Sequence, residues 1–531
     1  VWKKLTGKIV SALSARSRTF PEVQPPGEKP IANTLADNQN YLREIFANCT
    51  DFVVRPFKLG KGGSVEACIV YIDGLIDKDF ISRNLMQTLM FEDADLHERE
   101  GEPLYKRVYD RLLAVGKVTL LRDMNAFVGG VVAGQLGLFL NSQSVCFILG
   151  VTGGESRDVS EAPTEAVIRG PREGFVEDIR VNTSLIRRRI KSPRLKFEKL
   201  IIGTLTQTEV NIAYIEGLVM ENLVQEIKQR LQRIQIDGIV ESGYIEEFIE
   251  DTPKSVFGQT GPTERPDRVV TSLLEGRAAI MVDTTPFALV VPVSFPLLMQ
   301  SAEDYYTRFS FGTFMRFLRF LTINFALILP GFYIAVTSFH QEMMPSQLLL
   351  TLAAIREGLP FPVFVETFAM EFTFEIIREA GVRLPRQVGP AVSIVGALVI
   401  GDAAVNAGLV SPATIIVVAL TAISNLTLPT IEGANTIRIL RFPLMLMASA
   451  FGLIGLLVGL LLILIHICSL RSFGVPYLAP IAPLQVSGIK DTIIRVPWWL
   501  MRKRPLQTGK RDLYRQPVKP KGRPPKEETG Q

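Results

Sequence analysis

At Phe317 the chain changes solvent. The first 316 residues are charged and alternating, and then Phe317 to Val336 runs largely apolar over the ~20 residues needed to cross a bilayer core. Further apolar segments continue to Ile467, and carboxylates stand among them where lipid does not tolerate charge. The pattern predicts an α/β soluble region followed by an all-α polytopic transmembrane domain. Intramembrane charge marks that domain as a pathway candidate before it is an anchor.

At 531 residues the chain has room for three or four units of about 100 to 200 residues each. Val1 stands where Met is expected, through a GUG start codon read literally or a trimmed chain. The stretch to Phe20 is basic and lacks the apolar run of a signal peptide. Cys49, Cys68, Cys146 and Cys468 are scattered without CxxC spacing, so reduced cytoplasmic thiols are expected, with no disulfide framework and no zinc site. His97, His340 and His466 are isolated, and no cofactor is expected. The net charge of +5 is uneven: Ser469 to Gln531 holds thirteen Lys or Arg against four Asp or Glu, leaving the rest acidic. Arg502, Lys503 and Arg504 beside Trp498 and Trp499 suit an anionic lipid surface. The basic Lys519 to Lys526 also admits nucleic acid, but adjacency to a membrane span favours lipid, so no nucleic-acid partner is expected.

The soluble half carries an internal duplication. Cys68 to Ile76 (CIVYIDGLI) resembles Asn211 to Val219 (NIAYIEGLV), each a strand, an acidic turn with Gly and a helix entry. Tyr71 and Tyr214 are 143 positions apart; Asn141 and Asp283, each between two apolar strands, are 142 apart. Two related α/β lobes follow, each with one mixed sheet. The expected boundaries are a flexible segment 1–39, a first lobe 40–152, a connector 153–196, a second lobe with its junction 197–315, a helical transmembrane domain 316–470 and a basic cytoplasmic tail 471–531 with a disordered end. In the second lobe, Leu223, Val224, Ile227, Leu231 and Ile234 form a helical stripe, and Pro266 opens a helix that Gly276 stops.

The connector's Gly153-Gly154-Glu155-Ser156-Arg157-Asp158 lacks the P-loop lysine and GxGxxG, and its acids repel phosphate. Arg187-Arg188-Arg189 reads as a solvated or interface-facing patch. No nucleophile, base and orienting group assemble, so the chain is not read as an enzyme.

At Gly153 to Asp158, Glu165 to Phe175 (EAVIRGPREGF), Thr263 to Asp267 (TERPD) and Glu303 to Tyr306 (EDYY), the chain closely resembles the A subunits of the GerA family of bacterial spore germination receptors, over about Asn40 to Arg471. The resemblance implies a spore inner-membrane receptor with the soluble lobes in the core. It implies a transporter-like B subunit that senses the nutrient, a lipoprotein C subunit, and a ring of A subunits, a pentamer, that opens as a cation channel. Accessory spore proteins of the same family share these motifs, which leaves the subtype open. A secondary transporter is the rival class; an inverted repeat of membrane segments would mark it, and none is found.

Arg308, Arg316 and Arg319 flank the first span, so positive-inside bias places the lobes in the cytoplasm, and the basic tail puts the C-terminus there too. That demands an even number of crossings. Five segments qualify: Phe317 to Val336, Leu348 to Phe364, Val388 to Val405, Pro412 to Leu428 and Pro443 to Ile467. Either one fails to cross or the Pro-rich Val475 to Leu484 contributes. Arg356, Glu357, Gly358, Pro360 and Pro362 interrupt the second, which is expected to be re-entrant. The resulting four spans leave Arg378, Arg383 and Arg386 on the far side.

Within Phe364 to Ala380, Glu371, Glu375 and Glu379 share one helical arc of roughly 80° at about 100° per residue. A single copy is an ordinary interfacial helix; repeated around a ring, the stripe stacks carboxylate rings that favour cations. Asp402 is a further ion-pathway candidate, or a helix cap. Phe364, Val365 and Phe368 are candidates for an apolar constriction. Arg265 and Arg268 are expected to pair with Glu303 and Asp304 and so couple the second lobe to the first span.

Overall fold

The structure, a computed structural model, describes residues 29–59, 65–91, 103–112, 117–151, 153, 161–383, 399–492, 494–504 and 514–516. The connector's 154–158, Arg386 and the basic Lys519 to Lys526 lie outside the described residues. The chain divides into two compact units, one comprising residues 1–157, 183–198 and 514–531 and the other 158–182 and 199–513.

In the first unit, helix α1 (Leu35–Ile45) precedes a five-stranded sheet of β1 (Phe52–Leu59), β2 (Val65–Ile72), β3 (Val118–Leu121), β4 (Leu136–Leu140) and β5 (Cys146–Leu149). The spatial order is β1-β2-β4-β5-β3. Pro56 donates nothing to a ladder and lies in β1, at the sheet edge. Helix α2 (Leu104–Leu112) and helix α3 (Met124–Val132) belong to the same unit. Asp123 caps α3, accepting from the amide N–H groups of Asn125 and Ala126 at 3.3 and 3.0 Å. Arg187 is fully buried and bidentate to Asp51, with both bonds at 2.9 Å, so it is a structural ion pair and not part of a solvated patch.

Helix α4 (Ile179–Arg189) leads into the second sheet: β6 (Leu195–Ile202), β7 (Thr208–Ile215), β8 (Gly261–Thr263), β9 (Ala278–Val282) and β10 (Ala288–Val291), in the order β6-β7-β9-β10-β8. This is the first order with every index raised by five. Register agrees residue by residue: Cys68 pairs with Phe139 and Asn211 with Met281, offsets of 143 and 142. Each pairing described residue by residue is antiparallel, in place of the mixed sheet expected: short hairpins join β1 to β2, β4 to β5 and β9 to β10, and the longer connections return β4 beside β2 and β9 beside β7 in the opposite sense.

The duplication also reaches further back than the sequence suggests. The amide N–H groups of Leu35 and Ile179, at the starts of α1 and α4, donate to Asn141 Oδ1 and Asp283 Oδ1 at 3.3 and 3.2 Å. Buried Asn38 and Asn182 each brace a turn through paired bonds, to Ala32 and Val176 respectively. In the second lobe, α5 (Glu221–Gln232) buries Leu223, Val224, Ile227 and Leu231. Helix α6 (Ser242–Ile249) follows, and α7 (Pro266–Leu274) starts on Pro266 and stops before Gly276 at φ +85°.

The helical part of the second unit contains α8 (Phe309–Phe339), α9 (Ser346–Arg356), α10 (Val363–Arg383), α11 (Pro412–Asn425) and α12 (Ile431–Ser469), with a further helix at 399–406. By length and hydropathy, α8 and α12 could cross a membrane. Helix α12 is not one rod. Gly452 takes φ +63°, ψ −141°, and a methyl group added at Gly459 would lie 2.5 Å from a methyl of Leu444, fifteen positions earlier. A straight helix separates such residues by about 22 Å at 1.5 Å per residue. The chain therefore reverses at Gly452, and Pro443 to Ile467, expected as a single span, belongs to two antiparallel arms, 431–451 and 453–469.

The reversal fixes direction through the bundle. Both ends of this hairpin meet the second lobe: Thr430 donates to the Leu298 carbonyl at 2.9 Å, and Ile467 packs with Phe257 and Tyr477. Its tip at Gly452 meets Phe339 and His340, the far end of α8. Helix α10 runs back from that far end, where Val363 packs on Ile334 and Met445, towards Arg438 near the lobe. Arg378 and Arg383 consequently lie at the lobe-proximal end, not at the far end where the four-span count put them. Helix α9 begins and ends at the far end and does not traverse the bundle. Ser411 is again far, beside Glu366 and Tyr333, and α11 returns towards the lobe. Of the expected span Val388 to Val405, residues 388–398 lie outside the described residues.

Candidate functional site

Two clusters of charge occupy the second unit. The first lies between α10 and the first arm of α12. Glu371 is fully buried, with Oε2 3.1 Å from Arg441 Nη1, and its oxygens make no aligned hydrogen bond among the described residues. Glu375, one turn on, accepts from Arg441 Nη2 at 2.9 Å and from Arg438 through Nε at 3.1 Å and also through Nη2. Five positions before Glu371, buried Glu366 lies 3.4 Å from Arg356 of α9 and accepts from the Thr414 hydroxyl of α11 at 3.1 Å. Removing one member of such a pair leaves the other an uncompensated buried charge.

The expected stripe is therefore split. Glu371 and Glu375 face arginines of the same chain, whereas Glu379 is exposed and, among the described residues, pairs with Arg383, itself exposed, at 2.6 Å. Asp402 is also exposed, accepting from the Asn406 side chain at 3.0 Å. Phe364 and Phe368 turn inward: their ring centroids are 5.5 Å apart, and Phe368 meets Phe442 edge-on at 5.5 Å. Val365 points outward. Glu366, Arg356, Arg438 and Arg441 were missed by sequence reasoning. The available signal was Arg438 and Arg441, two cations three positions and so about one helical turn apart inside apolar sequence, opposite glutamates four positions apart.

The second cluster joins the second lobe to α8. Buried Arg265 binds Asp267 through Nε and Nη2 at 3.1 and 2.7 Å and donates to the carbonyls of Glu165 and Pro171, both at 3.0 Å. Arg268 pairs with Glu165 at 2.8 Å, and Thr263 donates to the same carboxylate at 2.7 Å. Among the described residues neither arginine pairs with Glu303 or Asp304, contrary to the pairing expected from the sequence. Asp304 is claimed instead by Arg316 Nε at 3.1 Å and Arg319 Nη1 at 3.0 Å, because the cap at Ser301 turns its carboxylate towards the first turns of α8. The two ion groups meet through Tyr306, whose hydroxyl donates to Asp267 at 2.5 Å. At Gly170, φ +140°, a side chain would strike the Tyr306 ring. The segments 165–175, 263–267 and 303–306, separate in sequence, thus converge on one site. Asp491 extends it, accepting from Arg316 at 3.0 Å and from the Tyr305 hydroxyl at 3.0 Å; burial pushes its carboxyl up from the ordinary range, against the pull of Arg316.

The chain is similar to known proteins over most of its length. The family described as Bacillus/Clostridium GerA spore germination protein matches residues 40–507. Spore germination protein KA of Bacillus subtilis (strain 168) is 43% identical over 495 residues, 93% of this chain and 90% of that one. An uncharacterized membrane protein of the same organism, YfkQ, is 43% identical over 484 residues, 91% and 93% respectively. Spore germination protein GerLA of Bacillus cereus is 40% identical over 480 residues, 90% and 96%.

Proposed function

We propose that this chain, which belongs to the GerA family of spore germination proteins, works without catalysis as the A subunit of a nutrient-responsive receptor in the spore inner membrane. Copies assemble as a ring, a pentamer, beside the B and C subunits, and the ring conducts cations when nutrient is sensed. The reading is supported above all by the two faces of α10. Its inner face is locked by Arg438 and Arg441, while its outer face presents Val365, Phe372 and Ile376 and ends at Glu379. A lone subunit leaves that outer face uncovered. In a ring it supplies an apolar stretch at Val365 and a carboxylate at Glu379, with Asp402 a further exposed acid, an arrangement that favours cations.

Glu371 and Glu375, balanced by arginines, contribute to the path through packing and not as free charge. Single-channel reversal potentials in asymmetric salt test this division. Glu379→Gln with Asp402→Asn shifts the potential towards zero, and Glu371→Gln leaves it in place. An unchanged potential in the first variant contradicts the assignment.

A further inference from the structure

The chain beyond α12 returns to the start of α8. There the Trp498 indole N–H donates to the Tyr305 carbonyl at 3.4 Å, and Trp499 meets Phe309 edge-on at 6.3 Å between centroids. The Thr313 hydroxyl and the backbone of Arg495 exchange two bonds, both 3.2 Å. Docked this way, the segment still leaves Ile494, Trp499 and Leu500 at 50% exposure or more, beside exposed Phe309. Such an apolar surface on a docked element needs an occupant.

Helix length identifies it. Thirty-one residues make α8 about 46 Å long at 1.5 Å per residue, against a hydrocarbon core of about 30 Å. Residues 317–336 fill that core, so the turns before Phe317, and whatever docks on them, sit at headgroup level. Tryptophan, apolar outside and polar at one edge, prefers that layer. Arg502-Lys503-Arg504 follows directly and supplies the charge that anionic headgroups attract.

We propose that residues 494–504 form an interfacial anchor that lays Ile494, Trp499 and Leu500 into the boundary of an anionic leaflet beside the first turns of α8. The inference rests on the membrane placement of the helical part. The anchor ties the returning chain to lipid at the place where Asp491 and Tyr305 join the junction cluster, so leaflet composition bears on that junction.

The chain has three tryptophans, and Trp2→Phe with selective tryptophan excitation leaves Trp498 and Trp499 as the emitters. Full-length Trp2→Phe protein in anionic vesicles brominated near the headgroup should lose about half of its emission, and less with bromines at the chain end, as an interfacial depth requires. Adding Trp499→Phe should remove most of the quenchable part. Arg502→Gln, Lys503→Gln and Arg504→Gln together should make quenching equal in anionic and zwitterionic vesicles. Emission insensitive to both bromolipids, in protein that floats with vesicles after an alkaline wash, overturns the anchor and shows the patch covered by protein. Failure to float overturns the membrane placement itself.

Discussion

The guanidinium of Arg441 serves two carboxylates at once, Glu371 at 3.1 Å and Glu375 at 2.9 Å, across the contact between α10 and α12. Arg441→Met leaves Glu371 buried without a counter-charge, which destabilises the fold by about 3 to 5 kcal/mol. Denaturant unfolding in nanodiscs should show that loss, and Glu371→Gln added to Arg441→Met should restore part of it. Additive losses would mean that the two residues do not share a pair.

The reversal at Gly452 depends on a backbone conformation that side chains avoid, and an added Cβ would lie 2.8 Å from the His340 ring. Gly452→Val should therefore lower stability by at least about 1 to 3 kcal/mol. Gly358→Ala is the control, since nothing lies within 4 Å of its added methyl group. Equal melting shifts in the two variants would argue against the hairpin.

At the junction, Tyr306→Phe removes one hydrogen bond to a charged acceptor, worth about 1.5 to 3 kcal/mol. Arg265→Ala removes four bonds and strands Asp267. Subunit abundance and germination should fall modestly in the first variant and severely in the second. If Arg265→Ala changes neither, the second lobe is not coupled to α8 through this site.

Glu250 sits among Glu246 and Asp251, and burial first, then those neighbours, pushes its carboxyl up to about 7 although the Gln259 N–H pulls it down. The folded protein therefore binds a proton there that the unfolded chain has lost between its own pKa, near 4.5, and about 7. Stability from this group is present at low pH and declines as pH rises through that window. Glu250→Gln should flatten this decline in melting temperature from pH 5 to 7. An unchanged profile would assign the decline to other groups.

The lobes were legible because duplication leaves a fixed offset, and Tyr71 with Tyr214 already gives the register that Cys68 and Asn211 show in the sheets. The earlier start of the repeat was not, since Asn38 and Asn182 reveal their equivalence only through the backbone groups they brace. Hydropathy carries no direction, so the apolar run through Gly452 resembles one span, and Gly455 and Gly459 look like packing glycines in either arrangement. Likewise Glu371, Glu375 and Glu379 form one stripe in a helix taken alone. Only tertiary packing distinguishes the two that meet Arg438 and Arg441 from the one left exposed.

Ion flux from liposomes tests the channel proposal most directly. Protein reconstituted with its B partner should release potassium when nutrient is added, without saturable nutrient uptake, and this subunit alone should lack the nutrient response. Saturable uptake of nutrient without ion conductance would contradict the account and point to a transporter.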